Sequence, residues 1–244
     1  MKTFHGKQSV KDKYIERVKA HAKADEIVQG SYWENGKGCA VGCTIHGNDH
    51  KKYETELGIP EEIAHLEDTI FENLSNEEAK DFPLRFLEAV PVGVDLSHVI
   101  PELVIWQFED KEHGLKNIKE VQEDKELCGF CEEVVALYKR ELQADTPSQD
   151  EYQELYKRID RARARTGART RVRIRAWARA WTWTGSWAGT WAGTGAWARA
   201  RARVGTGTGT WAWAGTWVWT GVRAERNTAL ADKFIELLAS SRKI

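Results

Sequence analysis

A chain of 244 residues has room for one large domain or two small ones, and its formal net charge of −1 gives no hint of a polyanion partner. That near-neutral total conceals two opposed parts: residues 161–224 hold twelve Arg and no acid, whereas residues 1–160 hold 20 Lys and Arg against 34 Asp and Glu. The polar opening stretch excludes a signal peptide as a reading. Arg and Gly interrupt the later apolar positions well before the ~18 residues a membrane span needs, so no membrane partner is expected and the chain reads as soluble and cytoplasmic.

In chain order, Val10, Tyr14, Val18 and Ile27 fall at helical spacing and predict an amphipathic helix over residues 7–29. Asn35-Gly36 stands between Tyr32-Trp33 and Cys39–Val41, a tight-turn signal for a small hairpin. Pro60 occupies a helix first-turn position, with Ile63, Leu66, Ile70, Phe71 and Leu74 as the apolar face behind it. Ser75 with Glu78 spells a capping box for the next helix, which buries Phe82, Phe86 and Leu87 and ends at Pro91. A short core helix follows around Val104, Ile105 and Phe108. One or two more span 116–143 through Leu127, Val134, Val135, Leu137 and Leu142, and Ser148 is placed to cap a last helix through Ile159. Residues 1–160 therefore read as a mostly helical acidic domain.

Cys39, Cys43, His46 and His50 in "CAVGCTIHGNDH" have the spacing C-x3-C-x2-H-x3-H. Thiolate and imidazole suit tetrahedral Zn²⁺, although twelve consecutive residues crowd a four-ligand site. Structural cysteines packed beside surface histidines are the plainer reading. The same residues permit a thiol nucleophile, with His46 or His50 as base and Asp49 or Glu54 orienting it. The glycines of "GKGCAVG" allow a backbone anion nest or, more simply, a tight turn. Cys128 and Cys131 have a redox or half-zinc spacing but sit in a helical pattern, where core packing explains them.

Three segments together carry a resemblance: "YWENGKGCAVGCTIHGNDHKKYETELGIPEEIAHLEDTIFENL", "FLEAVPVGVDLS" and the terminal "ADKFIELLAS". This chain resembles a family of uncharacterised bacterial and phage-encoded proteins that join such an N-terminal region to a low-complexity tract and a short C-terminal helix. The resemblance implies that organisation and a mobile-element origin. It implies no chemistry. The family tract is often Ala-rich, and the alternation found here departs from it.

From 161 to 224 every odd position is Arg, Trp or Gly and every even position is Ala, Thr, Val, Ile or Ser. Period 2 is the strand repeat, and a helix would scatter both sets around its circumference. The expected fold is thus α+β: a helical domain over 1–160, a β-solenoid or sheet over 161–224, and a capping helix over 225–244. An antiparallel meander is the rival, and a poorly registered sheet or an unstructured basic tail the alternatives, because small even residues bury little area and alternation alone does not fix register. At the level of DNA the pattern reads as a hexanucleotide tandem repeat free to drift in length. In the extended reading, Arg171, Arg173, Arg175, Arg179, Arg199, Arg201 and Arg203 form electrostatic patches and Trp181, Trp183, Trp211 and Trp213 stacking ones. Such a surface suits single-stranded nucleic acid or another polyanion, or else docks on the chain's own acidic domain. Open repeat edges would also permit self-association. The function expected is non-enzymatic binding or structure. The alternatives are a metal- or thiol-dependent enzyme centred on Cys39–His50 and a repeat protein with no external ligand.

Overall fold

The computed structural model of the chain describes residues 1–165 and 216–242. Among these, regular structure is nine α-helices, a few shorter helical turns and one two-stranded sheet. The helices are α1 (Gln8–Lys23), α2 (Ala40–Ile45), α3 (Glu61–Asn73), α4 (Asn76–Ala89), α5 (Val99–Glu109), α6 (Lys119–Gln122), α7 (Lys125–Leu142), α8 (Gln149–Arg165) and α9 (Thr216–Ser240).

The expected α+β fold with a β-solenoid is therefore corrected to a mostly helical one. Both described ends of the alternating tract are α-helix: residues 161–165 close α8 and residues 216–224 open α9. Arg and Ala are among the best helix formers, so "RARAR" offers no local resistance. In both places an amphipathic helix is already nucleated by tertiary contacts, and each added residue then gains one hydrogen bond without a new nucleation cost. The two-residue rhythm favours a strand only where partner strands use its two faces. The rest of the tract, residues 166–215, lies outside the described residues.

The chain divides into two compact units, Met1–Leu103 with Trp217–Ile244, and Val104–Thr216. In the first, α1 to α4 surround a core that includes Phe4, Tyr14, Val18, Tyr53, Ile63, Phe71, Phe82 and Phe86, all fully or almost fully buried. Here α1 stops at Lys23, short of the expected 29, because Asp25 turns into the left-handed region (φ 54°) and Ile27 pairs as an isolated bridge with Gly38. The hairpin forms at Asn35-Gly36, with β1 (Trp33–Glu34) pairing β2 (Lys37–Gly38) in the register Trp33↔Gly38 and Glu34↔Lys37. Positive φ at Asn35 (52°) and Gly36 (83°) is what a two-residue primed turn requires. Cys39–Val41, expected as its far flank, instead begins α2. The capping box is present as expected, Ser75 Oγ accepting from Glu78 N–H while Glu78 reaches back to Ser75 N–H.

The C-terminal helix packs within this same unit. Phe234 stacks on Phe86 (centroids 5.8 Å apart), Thr228 donates to Glu78 Oε1 (2.6 Å) and Arg85 pairs with Asp232 (2.6 Å). In the second unit, α7 buries Leu127, Phe130, Val134 and Val135, and α8 is capped by Ser148, whose Oγ accepts from Glu151 N–H. Among the described residues no helix is long and apolar enough to cross a membrane.

Candidate functional site

Gly38 and Gly42 pack directly on the backbone of Tyr32, where a Cβ would stand 2.1 Å and 1.4 Å from its carbonyl oxygen. The glycines around Cys39 thus serve a chain crossing, and that crossing fixes the start of α2. Cys39 is its N-cap: its N–H donates to Ser31 O (2.7 Å) and its sulfur accepts from Gly42 N–H (3.4 Å).

The crossing delivers Cys39 to the polar stripe of α3. Spacing along that helix places Glu61, His65, Asp68 and Glu72 on one face. Ligating atoms of Cys39, Asp68 and Glu72 all lie within 4.8 Å of one another. His50, from the segment after α2, enters from the side: its Nε2 is 3.6 Å from Asp68 Oδ2, and its ring stacks on His65 at 3.9 Å. Glu72 holds the Gly30 N–H through both carboxylate oxygens (3.0 and 2.9 Å).

This is a buried polar centre. Cys39 is 1% exposed, His50 6% and Asp68 8%. His50 Nε2 and Asp68 Oδ1 have no hydrogen-bond partner, and neither has Oε1 of the adjoining, fully buried Glu67. Each such group costs about 1–3 kcal/mol relative to a satisfied one. Glu67 Oε2 accepts from the buried Tyr53 hydroxyl (2.7 Å), and burial raises the Glu67 carboxyl well above the ordinary carboxylate range. Burial, followed by the charge of Asp68, likewise raises the Cys39 thiol far above its ordinary value. Burial lowers His65, with His50 adding to it and Glu61 opposing.

Of the four residues singled out by spacing, only Cys39 and His50 reach this centre. Cys43 points the other way, its thiol donating to the carbonyls of Gly38 (3.3 Å) and Glu26 (3.7 Å), and burial pushes it up to about 12. His46 caps the far end of α2 in the left-handed region (φ 53°), exposed, stacked on Trp33 and 2.8 Å from His21 Nε2. Asp49 and Glu54, suggested as orienters of a base, accept from the backbone N–H groups of Lys51 and Glu61. Asp68 takes the place beside His50. Cys128 and Cys131 lie on α7 in the other unit, with Cys131 buried and pushed up to about 12.

Sequence reasoning missed His65, Asp68 and Glu72. The signal was there: titratable residues at steps of three and four along a helix whose other positions, Ile63, Leu66, Ile70 and Phe71, are core. Comparison with protein-family models, with curated proteins and with solved structures returns no match. The candidate ligand-binding residues Arg171, Arg173, Arg175, Arg179, Trp181, Trp183, Arg199, Arg201, Arg203, Trp211 and Trp213 lie outside the described residues.

Proposed function

We propose that this is a non-catalytic binding protein whose arginine- and tryptophan-rich tract engages a polyanion, with single-stranded nucleic acid as its ligand. The observation that carries this reading is the charge division: twelve Arg and no acid in residues 161–224 of a chain whose first 160 residues are acidic by fourteen charges. Arginine neutralises phosphates and releases their counterions, and tryptophan stacks on unpaired bases whatever their sequence. Both ends of the tract continue helices that belong to folded units, so a ligand held by it is tethered at two points. Arg161, at the first of these ends, has its side chain 62% exposed and pairs with Glu154.

The thiol-enzyme reading loses support from the same geometry. A nucleophilic cysteine needs a cation or base that favours its thiolate, whereas Cys39 and Cys43 are buried with raised pKa and Cys39 faces a carboxylate.

Filter retention of a labelled single-stranded oligonucleotide by the full chain, across a salt series, tests the proposal. Log affinity should fall linearly with log salt, and replacing Arg199, Arg201 and Arg203 together with Gln should flatten the slope by about 2, at roughly 0.7 per phosphate contact. Absent or salt-independent retention overturns it, and is the result expected if the tract docks on the chain's own acidic surface.

A further inference from the structure

We infer that Cys39, Asp68, Glu72 and His50 form a binding site for one divalent transition cation of the zinc class. This inference is independent of the polyanion reading, since none of the four residues belongs to the tract.

Three observations converge on it. The first is proximity: one thiol and two carboxylates present donor atoms mutually within 4.8 Å, and the imidazole Nε2 of His50 lies 3.6 Å from Asp68 Oδ2. Zinc bonds of ~2.0–2.3 Å to N, O and S imply tetrahedral edges of about 3.3–3.8 Å, so adjustments of about 1 Å close the Cys39, Asp68 and Glu72 set. His50, within reach of Asp68 but outside that group, joins by a larger side-chain movement. The second is dissatisfaction. His50 Nε2, on a side chain only 7% exposed, and Asp68 Oδ1, on one 11% exposed, lack hydrogen-bond partners, a state that proteins keep only where something offsets it. A cation bound to both atoms supplies what they lack. The third is the donor chemistry. One sulfur, one imidazole nitrogen and two carboxylate oxygens are borderline-soft to hard donors, a mixture matched by Zn²⁺, Co²⁺ or Fe²⁺ more than by Mg²⁺ or Ca²⁺, which take oxygen alone.

The scaffold is suited to the task. Cys39 is fixed by the glycine crossing at the start of α2, while Asp68 and Glu72 are one turn apart on α3. Glu72 is oriented by Gly30 N–H and stands at the exposed edge, the side from which an ion enters. His65 stacks on His50 and interacts with Glu61 (3.5 Å), which sets the plane of the His50 ring as outer-sphere partners of metal ligands commonly do. Bound metal would staple the segment after α2 to α3, in place of the C-x3-C-x2-H-x3-H set that α2 separates.

The test uses the full chain, stripped with a chelator and dialysed, with Zn²⁺ and Co²⁺ salts alone as probes. One Zn²⁺ per chain should remain after dialysis, and Co²⁺ should give a thiolate-to-metal charge-transfer band with the visible bands of a tetrahedral ion. Cys39→Ser should remove the charge-transfer band. His50→Gln and Glu72→Gln should each weaken Co²⁺ binding at least tenfold, with helical content checked by circular dichroism. Cys43→Ser and His46→Gln should leave binding unchanged. Should Cys39→Ser fail to fold, Glu72→Gln at the site's exposed edge still decides the question. Substoichiometric metal, a Co²⁺ spectrum without the thiolate band, unaltered binding in the folded His50 or Glu72 variants, or loss of binding in the Cys43 or His46 variants overturns the inference.

Discussion

Gly42 lies against the carbonyl oxygen of Tyr32 so closely that a Cβ on it would sit 1.4 Å away, inside covalent-bond range. The obstacle is backbone, and no rotamer change relieves it. Gly42→Ala should therefore destabilise the chain by about 3 kcal/mol or more, the upper end of overpacking effects, or abolish folding. Gly129→Ala is the contrast: it lies inside α7 with nothing within 4 Å of the added methyl. That variant should gain up to about 1 kcal/mol from helix propensity. Denaturant melts of the two proteins check the opposite signs.

Tyr53→Phe removes the hydroxyl that donates to Glu67 Oε2 at 2.7 Å in a fully buried setting. Glu67 already has one oxygen without a partner, and the variant adds the second. A loss of about 1–3 kcal/mol is expected in urea unfolding. A change below ~0.5 kcal/mol would show that water or a rearranged neighbour takes the place of the phenol.

Phe234 and Arg85 both fasten α9 to α4, by different physics. The Phe234 ring is fully buried on Phe86, so Phe234→Ala should cost about 3–5 kcal/mol. The Arg85–Asp232 pair is roughly half exposed, 42% and 58%, and Arg85→Ala should cost no more than about 1 kcal/mol. Thermal melts of the full chain rank the two.

His46 titrates below the ordinary histidine value because of its partial burial, then the charges of Arg17 and His21, with Glu56 opposing. A lowered pKa in a base means that the folded chain resists a proton the unfolded chain accepts. Its contribution to stability is thus complete above about pH 6.5 and is lost as pH falls through the folded value. The ring-proton shifts of His46 in an NMR titration should show the depressed midpoint, and Arg17→Gln should move it upward.

Much of the first unit was legible because local rules and tertiary packing agree there. Ser75 and Glu78 form their capping box, Asn35-Gly36 makes its turn, and Ile63, Leu66 and Phe71 are buried where a 3.6-residue period puts them. The site was only half legible. Cys39 and His50 stood out by residue type, but the left-handed backbone at His46 turns the chain after α2, and spacing cannot show that. Asp68 and Glu72 share a helical spacing with Glu61 and His65, but that spacing alone does not tell a stripe turned toward Cys39 from one turned to solvent. At 161–165 and 216–224 period-2 alternation misled: strand patterning is persuasive only when neighbours exist to pair with, and here helices already running from adjoining segments extend into it.

Phe86 sits in a core built largely from the first ninety residues, yet the ring that covers it arrives with Phe234. A ribosome must cross the whole repetitive stretch before that lid can be made. Any shift of reading frame within that stretch replaces the terminal helix and leaves Phe86 without the ring that covers it. Completion of the N-terminal core thereby reports that translation stayed in register through the repeat.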